Sequence, residues 1–300
     1  MLDINLTYHL LKAVPGGCRL IFVGDVDQLP SVGAGSVLQD IIRSGKMPVV
    51  RLENVFRQAE VSPIVVNAHK INRGQMPDFI DGSNSDFSLV EFTDENEAAE
   101  FVARTYGEMT LDGDWRKVQV LSPMHKNPCG VQNLNKLLQQ YINPPSPMKK
   151  EFNIPNNVLR VGDKVMQIRN NYEKNVFNGD LGRVKNIEGA TLTVMFPDRP
   201  EGDFVTYSKA EAEELQLAYA MSVHKSQGSE YPCVILLMVR SHYIMLQRNL
   251  LYTAVTRAKE KVMVVGSKNA VYTAVNNDKT RKRYSLLAER LQQDDEVFHG

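Results

Sequence analysis

Apolar positions along the chain change their period several times, and each change marks an element. From Leu2 to Val14 they recur at helical spacing until Pro15-Gly16-Gly17 stops the run. Leu20-Ile21-Phe22-Val23 is an unbroken apolar quartet, the pattern of a strand buried on both faces of a parallel sheet. Gly24-Asp25 ends it, polar loop residues follow to Gly35, and a second helix is expected from Ser36 to Ser44. Ser62-Pro63 opens a helix that reaches Asn72, with proline in its first turn. Phe87 to Phe92 then reads as a strand, Glu95 to Glu108 as a helix, Val118 to Leu121 as a strand and Val131 to Tyr141 as a helix. The alternation of helical and short apolar segments predicts an α/β layered fold.

Asn143-Pro144-Pro145-Ser146-Pro147 interrupts any regular element. From about 158 to 207 the period falls to two. Asp163 to Ile168, Asp180 to Ile187 and Thr191 to Phe196 alternate, separated by Asn178-Gly179-Asp180 and Glu188-Gly189-Ala190. This is the pattern of a compact β-barrel. Longer segments resume afterwards, with a helix expected from Lys209 to Ala220, a strand from Cys233 to Met238, a helix from Arg248 to Ala258 and a strand from Val262 to Val265. The simplest organisation is a β unit, residues 151–207, inserted into one α/β domain made of 53–150 and 208–300, with 1–52 as a separate piece. The tail Gln292-Gln293-Asp294-Asp295-Glu296 reads as frayed.

Composition narrows the class without naming a function. Of 300 residues, 43% are hydrophobic and 23% charged, which excludes a chain disordered throughout. No apolar run approaches the ~20 residues of a membrane helix, and Met1-Leu2-Asp3-Ile4-Asn5 lacks the pattern of a secretory signal. Cys18, Cys129 and Cys233 lie far apart with no CxxC pair, which argues against a zinc site or disulfide framework and for a reducing cytoplasm. Thirty-five basic residues balance 35 acidic ones, so there is no global basic excess to point at nucleic acid. Locally, residues 149–185 carry eight Lys and Arg against four Asp and Glu, an excess of four.

Four polar clusters could carry chemistry. Gly24-Asp25-Val26-Asp27-Gln28-Leu29-Pro30 follows the expected strand, and ligands of open α/β sheets sit beyond strand carboxyl ends. Glu53-Asn54-Val55-Phe56-Arg57-Gln58 offers an arginine suited to bidentate phosphate contact. Tyr219 to Glu230 gathers hydroxyls, an imidazole, an ammonium, an amide and a carboxylate around Gly228, a kit for phosphates or a nucleic-acid backbone. Tyr252-Thr253-Ala254-Val255-Thr256-Arg257-Ala258-Lys259 reads as a helix whose basic end complements its dipole. A serine hydrolase would want a G-x-S-x-G elbow, which is absent. A doubly wound small-molecule enzyme would want G-x-G-x-x-G after a strand, also absent.

In this order the clusters resemble the superfamily 1 DNA helicases, most closely the RecD-like 5′-to-3′ branch. Gly24-Asp25-x-x-Gln28-Leu29-Pro30 matches motif III, Phe56-Arg57-Gln58 motif IV, His224 to Glu230 motif V and Tyr252 to Lys259 motif VI. Ser122-Pro123-Met124-His125-Lys126 and Arg160 to Gln167 look like the same branch. The resemblance implies a RecA-like parallel-sheet motor domain, a Src-homology-3-like barrel touching single-stranded DNA, and part of a first RecA-like domain. It implies that Gln28 senses the γ-phosphate and its water, that Asp25 supports that loop, and that Arg57 and Arg257 act as arginine fingers. Gly228 and Glu230 would lie near the nucleotide, and Pro123, Met124, Ser222 and His224 along the DNA. The cofactor implied is ATP with Mg²⁺, the partners single-stranded DNA and recombination or repair proteins, with no membrane. The phosphate-loop G-x-x-x-x-G-K-[ST] and the Asp-Glu pair that holds Mg²⁺ are absent from these residues. The expectation is therefore the C-terminal portion of a helicase, without metal ligands of its own, hydrolysing ATP negligibly unless an N-terminal helicase segment is supplied. The alternative is a single-stranded nucleic-acid-binding protein without turnover.

Overall fold

The computed structural model describes residues 2–52, 62–80, 85–155, 157–197, 199, 204–279, 283 and 285–293. Near the start lie helices α1 (Ile4–Ala13) and α2 (Val37–Ser44). The Asp3 carboxylate caps α1 by accepting the Leu6 N–H at 2.8 Å, and Gly45 ends α2 in the left-handed conformation. No strand forms at Leu20–Val23. Ile21 is 76% and Val23 93% exposed, and among the described residues no strand pairs with this quartet. The apolar run has the composition of a buried strand but lacks the neighbouring ladders that would make it one.

The chain then alternates as the pattern predicts. Helix α3 (Pro63–Asn72), strand β1 (Phe87–Glu91), helix α4 (Glu95–Met109), strand β2 (Val118–Ser122) and helix α5 (Val131–Ile142) come in succession. Next come seven short strands: β3 (Glu151–Ile154), β4 (Asn157–Arg160), β5 (Lys164–Gln167), β6 (Leu181–Glu188), β7 (Thr191–Met195), β8 (Phe204–Ser208) and β9 (Leu215–Leu217). Strands β10 (Ala220–Ser222) and β11 (Tyr231–Met238), helix α6 (Arg248–Val255), strand β12 (Ala258–Gly266), and helices α7 (Lys268–Asn276) and α8 (Leu287–Gln293) complete the chain.

Two sheets organise these elements. One is five-stranded and wholly parallel, in the order β1-β12-β11-β2-β10. Its apolar strands are covered on both sides. Ile235 and Leu237 of β11 pack into one cluster with α4 and α5, whereas Val234, Leu236 and Met238 pack into the other with α3, α6 and α7. The second sheet is antiparallel, in the order β8-β7-β6-β5-β9, with the β3–β4 hairpin beside it. The parallel sheet thus draws strands from both sides of the antiparallel one in sequence. Gly266 lets β12 pack closely on β11: with φ at 142°, a Cβ there would stand 2.1 Å from the Met238 carbonyl oxygen.

The antiparallel sheet and the hairpin beside it share their core with the parallel sheet's helices. Phe152, Leu159, Val165, Val184, Leu192 and Val194 belong to the same cluster as Ala98 and Val102 of α4 and Leu134 and Leu138 of α5. Two buried polar groups reinforce the seam. The Asp163 carboxylate accepts from Gln139 Nε2 at 2.5 Å, Asn143 Nδ2 at 2.7 Å, the Arg160 N–H at 2.7 Å and Tyr219 Oη at 2.9 Å. Lys164 Nζ donates to the Trp115 and Val118 carbonyls at 3.1 and 3.0 Å, between the Tyr106 and Trp115 rings.

Two further segments differ from the pattern. In place of a helix over Lys209–Ala220 there is one 3₁₀ turn at Glu211–Glu214, then β9 and β10. Leu215 and Leu217 are buried on either side of the half-buried Gln216, so period two against β5 decides the conformation over a Glu-rich helical composition. Helix α6 ends at Val255, and Lys259 lies on β12. Its ammonium pairs with Glu230 at 3.0 Å and does not cap the helix. At the other end of the chain, α8 returns to α2, where Arg43 meets Glu289 at 3.1 Å and Ser285 Oγ donates to Asp40 at 2.7 Å. Gln292, expected to be frayed, lies within α8 and donates to the Ser44 carbonyl; residues 294–296 lie outside the described residues.

Candidate functional site

A cleft of about 1600 Å³ lies between the 22–40 loop–helix segment and the turn and helix that lead into β11 and β12. Asp25, Gln28, His224, Gly228, Glu230 and Arg257 all line it. Arg57 lies outside the described residues. The remaining site residues, Pro123, Met124 and Ser222, sit at the ends of two neighbouring strands.

Arg257 is placed by the end of α6. Its Nε donates to the Thr253 carbonyl at 3.1 Å, and Nη1 to the Ser229 carbonyl at 3.0 Å. Nη2 donates to Gln28 Oε1 at 3.1 Å and to Thr256 Oγ1 at 3.3 Å. None of these four acceptors is a carboxylate, although Arg257 is only 7% exposed. Burial lowers its pKa from the ordinary arginine value, with Glu230 pulling the other way. A desolvated guanidinium held by neutral oxygens is a poised anion site.

Across the cleft, Asp25 organises its own loop. Its Oδ1 accepts the Asp27 N–H at 3.0 Å, and its Oδ2 accepts from Gln28 Nε2 at 3.1 Å and Tyr252 Oη at 2.9 Å. Burial, then the Asp25 charge, pushes the Tyr252 hydroxyl well above the ordinary tyrosine range, so it stays a donor. Gln28 therefore has both ends of its amide fixed, the nitrogen by Asp25 and the oxygen by Arg257, from positions 3 and 229 residues away.

The loop is clamped by its backbone as well. The Leu29 N–H donates to Thr253 Oγ1 at 2.8 Å, and the Leu29 carbonyl accepts from Gln227 Nε2 at 2.6 Å. Asn72 donates to Asp27 at 2.8 Å, and Arg283 to the Gly33 and Gly35 carbonyls at 2.6 and 2.8 Å. Tyr252, Thr253 and Gln227 stand inside clusters the sequence singles out, yet the pattern gives no sign of their partners. Asn72 is marked in the sequence only as a helix end, and Arg283 by no pattern.

Strands β2 and β10 run side by side, with Ser122 opposite Ser222. Pro123 and Met124 thus emerge beside Val223 and His224. Pro123 is buried and Met124 half-buried. Ser222 is 5% exposed, and its Oγ accepts the Lys225 N–H at 3.3 Å, so it builds the turn that presents His224 and Lys225. Burial lowers the pKa of His224, with the nearby His125 and Arg283 charges acting in the same direction. Gly228, at φ 84°, closes the turn in a conformation that favours glycine.

Three segments of the chain match families of known proteins. Residues 134–196 match the ATP-dependent RecD-like DNA helicase SH3 domain, residues 217–265 the UvrD-like helicase C-terminal domain, and residues 1–94 an AAA domain. The chain is 38% identical to the ATP-dependent RecD2 DNA helicase of Deinococcus radiodurans over 97% of its own length and 38% of that protein. It is 31% identical to the RecBCD enzyme subunit RecD of Mycobacterium tuberculosis over 97% of its length and 52% of that protein. The chain thus spans about two-fifths to one-half of these relatives. A solved Pif1 helicase from Bacteroides, in complex with ADP-AlF3 and ssDNA, aligns with 91% of the chain and 66% of its own at 18% identity and a TM-score of 0.49, too distant to carry function. The ordered motifs, the matched domains and the relatives together place this chain in the RecD-like family of superfamily 1 helicases.

Proposed function

We propose that this chain is the part of an ATP-dependent, 5′-to-3′ DNA helicase that senses the nucleotide's terminal phosphate and grips single-stranded DNA. The observation that carries the reading is the contact between Arg257 and Gln28, joining residues 229 apart across one cleft. The donor set fits an anion, because the buried Arg257 faces the cleft with neutral acceptors only. Among the described residues no group of three His, Cys, Asp or Glu could hold a metal, so Mg²⁺ is assigned to no residue here.

ATP supplies the phosphoanhydride whose hydrolysis powers such a motor. Arg257, and with it Arg57 from the earlier cluster, would offer positive charge to the terminal phosphate, a contribution worth about 10³–10⁵ in rate in other nucleotide hydrolases. Gln28 would orient water, held in register by Asp25 and Tyr252. Gly228 and Glu230 would border the nucleotide. A contact made from both sides of a cleft favours closure when the ligand is present and opening when it is gone. On the strand side, Pro123, Met124, His224 and the turn built by Ser222 would meet the DNA backbone, so binding should tolerate sequence and weaken with salt. A cytoplasmic setting and repair or recombination partners belong to the same proposal. Among the described residues no helix is long and apolar enough to cross a membrane.

The reading is tested on the 300-residue chain with a fluorescent ATP analogue, a labelled oligonucleotide and an ATPase assay. Expected are salt-sensitive strand binding, nucleotide binding weakened by Arg257→Ala, and negligible hydrolysis that rises when an N-terminal helicase segment is supplied. Nucleotide binding indifferent to Arg257→Ala, or DNA-stimulated turnover by the chain alone at the rate of a whole helicase, overturns it.

A further inference from the structure

Residues 22–44, which carry Gln28, are held at two places. Leu29 belongs to an apolar cluster of the parallel sheet, and its backbone is bonded to Thr253 and Gln227. Beyond it the segment leaves that core. Val32 is 80% exposed, and Val37 and Ile41 of α2 are buried outside both apolar clusters of the sheet. The second hold comes from the carboxyl-terminal end of the chain. Arg283 Nη1 donates to the Gly33 carbonyl at 2.6 Å and to the Gly35 carbonyl at 2.8 Å. The Ala34 carbonyl between them accepts the Ile4 N–H at 3.1 Å, so three successive carbonyls of this turn each have a partner. Gly35 allows the turn with φ at 81°, where a Cβ would stand 2.4 Å from Ile4 Cδ1.

Helix α8 extends the grip along α2. Ser285 Oγ donates to Asp40 at 2.7 Å, Arg43 meets Glu289 at 3.1 Å, and Gln292 Nε2 donates to the Ser44 carbonyl at 3.4 Å. The carboxylates on this side are engaged elsewhere. Asp40 takes Ser285 and lies 3.4 Å from Arg43, and Asp3 caps α1. Among the described residues Arg283 forms no ion pair, so its bonds to the two carbonyls are charge-assisted and free of a competing carboxylate.

The root of this strap is fixed to α6. Asn277 Nδ2 donates to the Leu246 carbonyl at 2.8 Å, and the Asn277 carbonyl accepts the Arg248 N–H at 2.8 Å. Arg248 also meets Asp278 at 3.7 Å. Arg257 lies two residues past the opposite end of the same helix. One end of α6 therefore presents the guanidinium that meets Gln28, and the other roots the segment that grips the loop of Gln28 from behind.

We propose that Arg283 is a positioning residue of the nucleotide site: it holds the Gly33–Gly35 turn so that Gln28 stays within reach of Arg257, and α8 straps α2 to the same frame. The proposal rests on the reading of Gln28 as the sensor of the terminal phosphate and adds the group that keeps the sensor in place. Arg283 acts through Gln28, so its removal matters only for a nucleotide that carries a terminal phosphate, and only while Gln28 is present.

The test measures binding of a fluorescent, non-hydrolysable ATP analogue and of the matching ADP analogue to the 300-residue chain, with amide hydrogen exchange of the nucleotide-free protein alongside. Arg283→Ala is expected to weaken the ATP analogue about tenfold, the scale of one lost charge-assisted hydrogen bond, and to leave the ADP analogue unchanged. In a Gln28→Ala background the same substitution should have no further effect. Exchange across residues 33–44 should quicken about tenfold in Arg283→Ala without nucleotide. Should circular dichroism show Arg283→Ala unfolded, Arg283→Lys carries the same comparison with a smaller expected loss. Equal losses for both nucleotides, or an undiminished loss in the Gln28→Ala background, overturn the positioning role. Unchanged exchange across residues 33–44 overturns the strap. A wild-type chain that binds the ATP analogue no better than the ADP analogue, while exchange still responds to Arg283→Ala, overturns the phosphate-sensing reading and the positioning role with it, and leaves the strap a purely structural hold.

Discussion

Lys164 offers a sharp test of how the two sheets are joined. Its side chain is 1% exposed on β5, and its ammonium meets two backbone carbonyls and two rings, with no carboxylate in ion-pair range among the described residues. Burial pushes its pKa down to about 7, with the Asp114 charge acting weakly against the shift. In the unfolded chain the amine titrates near 10.4. Between these values the unfolded chain holds the proton that the folded chain has lost, so stability rises with pH through that window. At about 1.4 kcal/mol per unit, the gain from pH 7 to 10.4 is at most about 5 kcal/mol. Lys164→Met removes the titration and keeps most of the volume. The variant should be more stable than the wild type at pH 7 by a few kcal/mol, less about 1 kcal/mol for each carbonyl bond lost. Its advantage should shrink steadily towards pH 10. The assay is urea denaturation at half-unit pH steps, followed by fluorescence of Trp115, the single tryptophan, whose ring lies 5.6 Å from the amine. The difference between variant and wild type cancels every other titrating group. A difference that stays flat from pH 7 to 10 would refute a buried, titrating Lys164.

Three further outcomes follow from the same contacts. His242 is fully buried, and burial lowers its pKa to about 4 against the opposing pull of Glu95. Stability should be fully present above pH ~6.5 and fall by up to about 3 kcal/mol as pH drops towards 4; thermal melts of His242→Leu should lack most of that slope. Thr253→Val leaves the Leu29 N–H without its acceptor, at a cost of about 1–3 kcal/mol. Hydrogen exchange should show the Leu29 amide losing protection first, and unchanged protection would refute the clamp. Asp163→Ala strips the acceptor from four donors and should cost about 2–4 kcal/mol by chemical denaturation; a loss under half a kcal/mol would show that the buried carboxylate's desolvation cancels its bonds.

Much of the fold is legible in the sequence because local signals agree with the packing. Pro63 and Asn72 bound α3 as their positions suggest, and Asn178-Gly179 and Gly189 separate the strands of the antiparallel sheet. The failures occur where a partner decides. Leu20–Val23 reads as a strand, but strand formation depends on neighbours that no local window contains. Lys209–Ala220 reads as a helix, but pairing of Leu217 with Val165 overrides composition. The site follows the same division. The clusters holding Asp25, Gln28, Gly228, Glu230 and Arg257 stand out by residue type and order. The contacts that make them one site, such as Tyr252 to Asp25 across 227 positions, leave no trace in either local pattern. Arg283 reaches Gly33 from a segment that no sequence pattern marks.

The continuous apolar seam between the antiparallel sheet and the α4–α5 layer has a mechanical meaning. An inserted module on a flexible tether would absorb a tug on its outer loops by swivelling. Here swivelling would have to expose Phe152, Leu159 and Val165 to water and break the bonds converging on Asp163. A load applied at residues 170–178 is therefore borne by β2 and β10 themselves, so the antiparallel sheet behaves as a rigid outrigger of the parallel one.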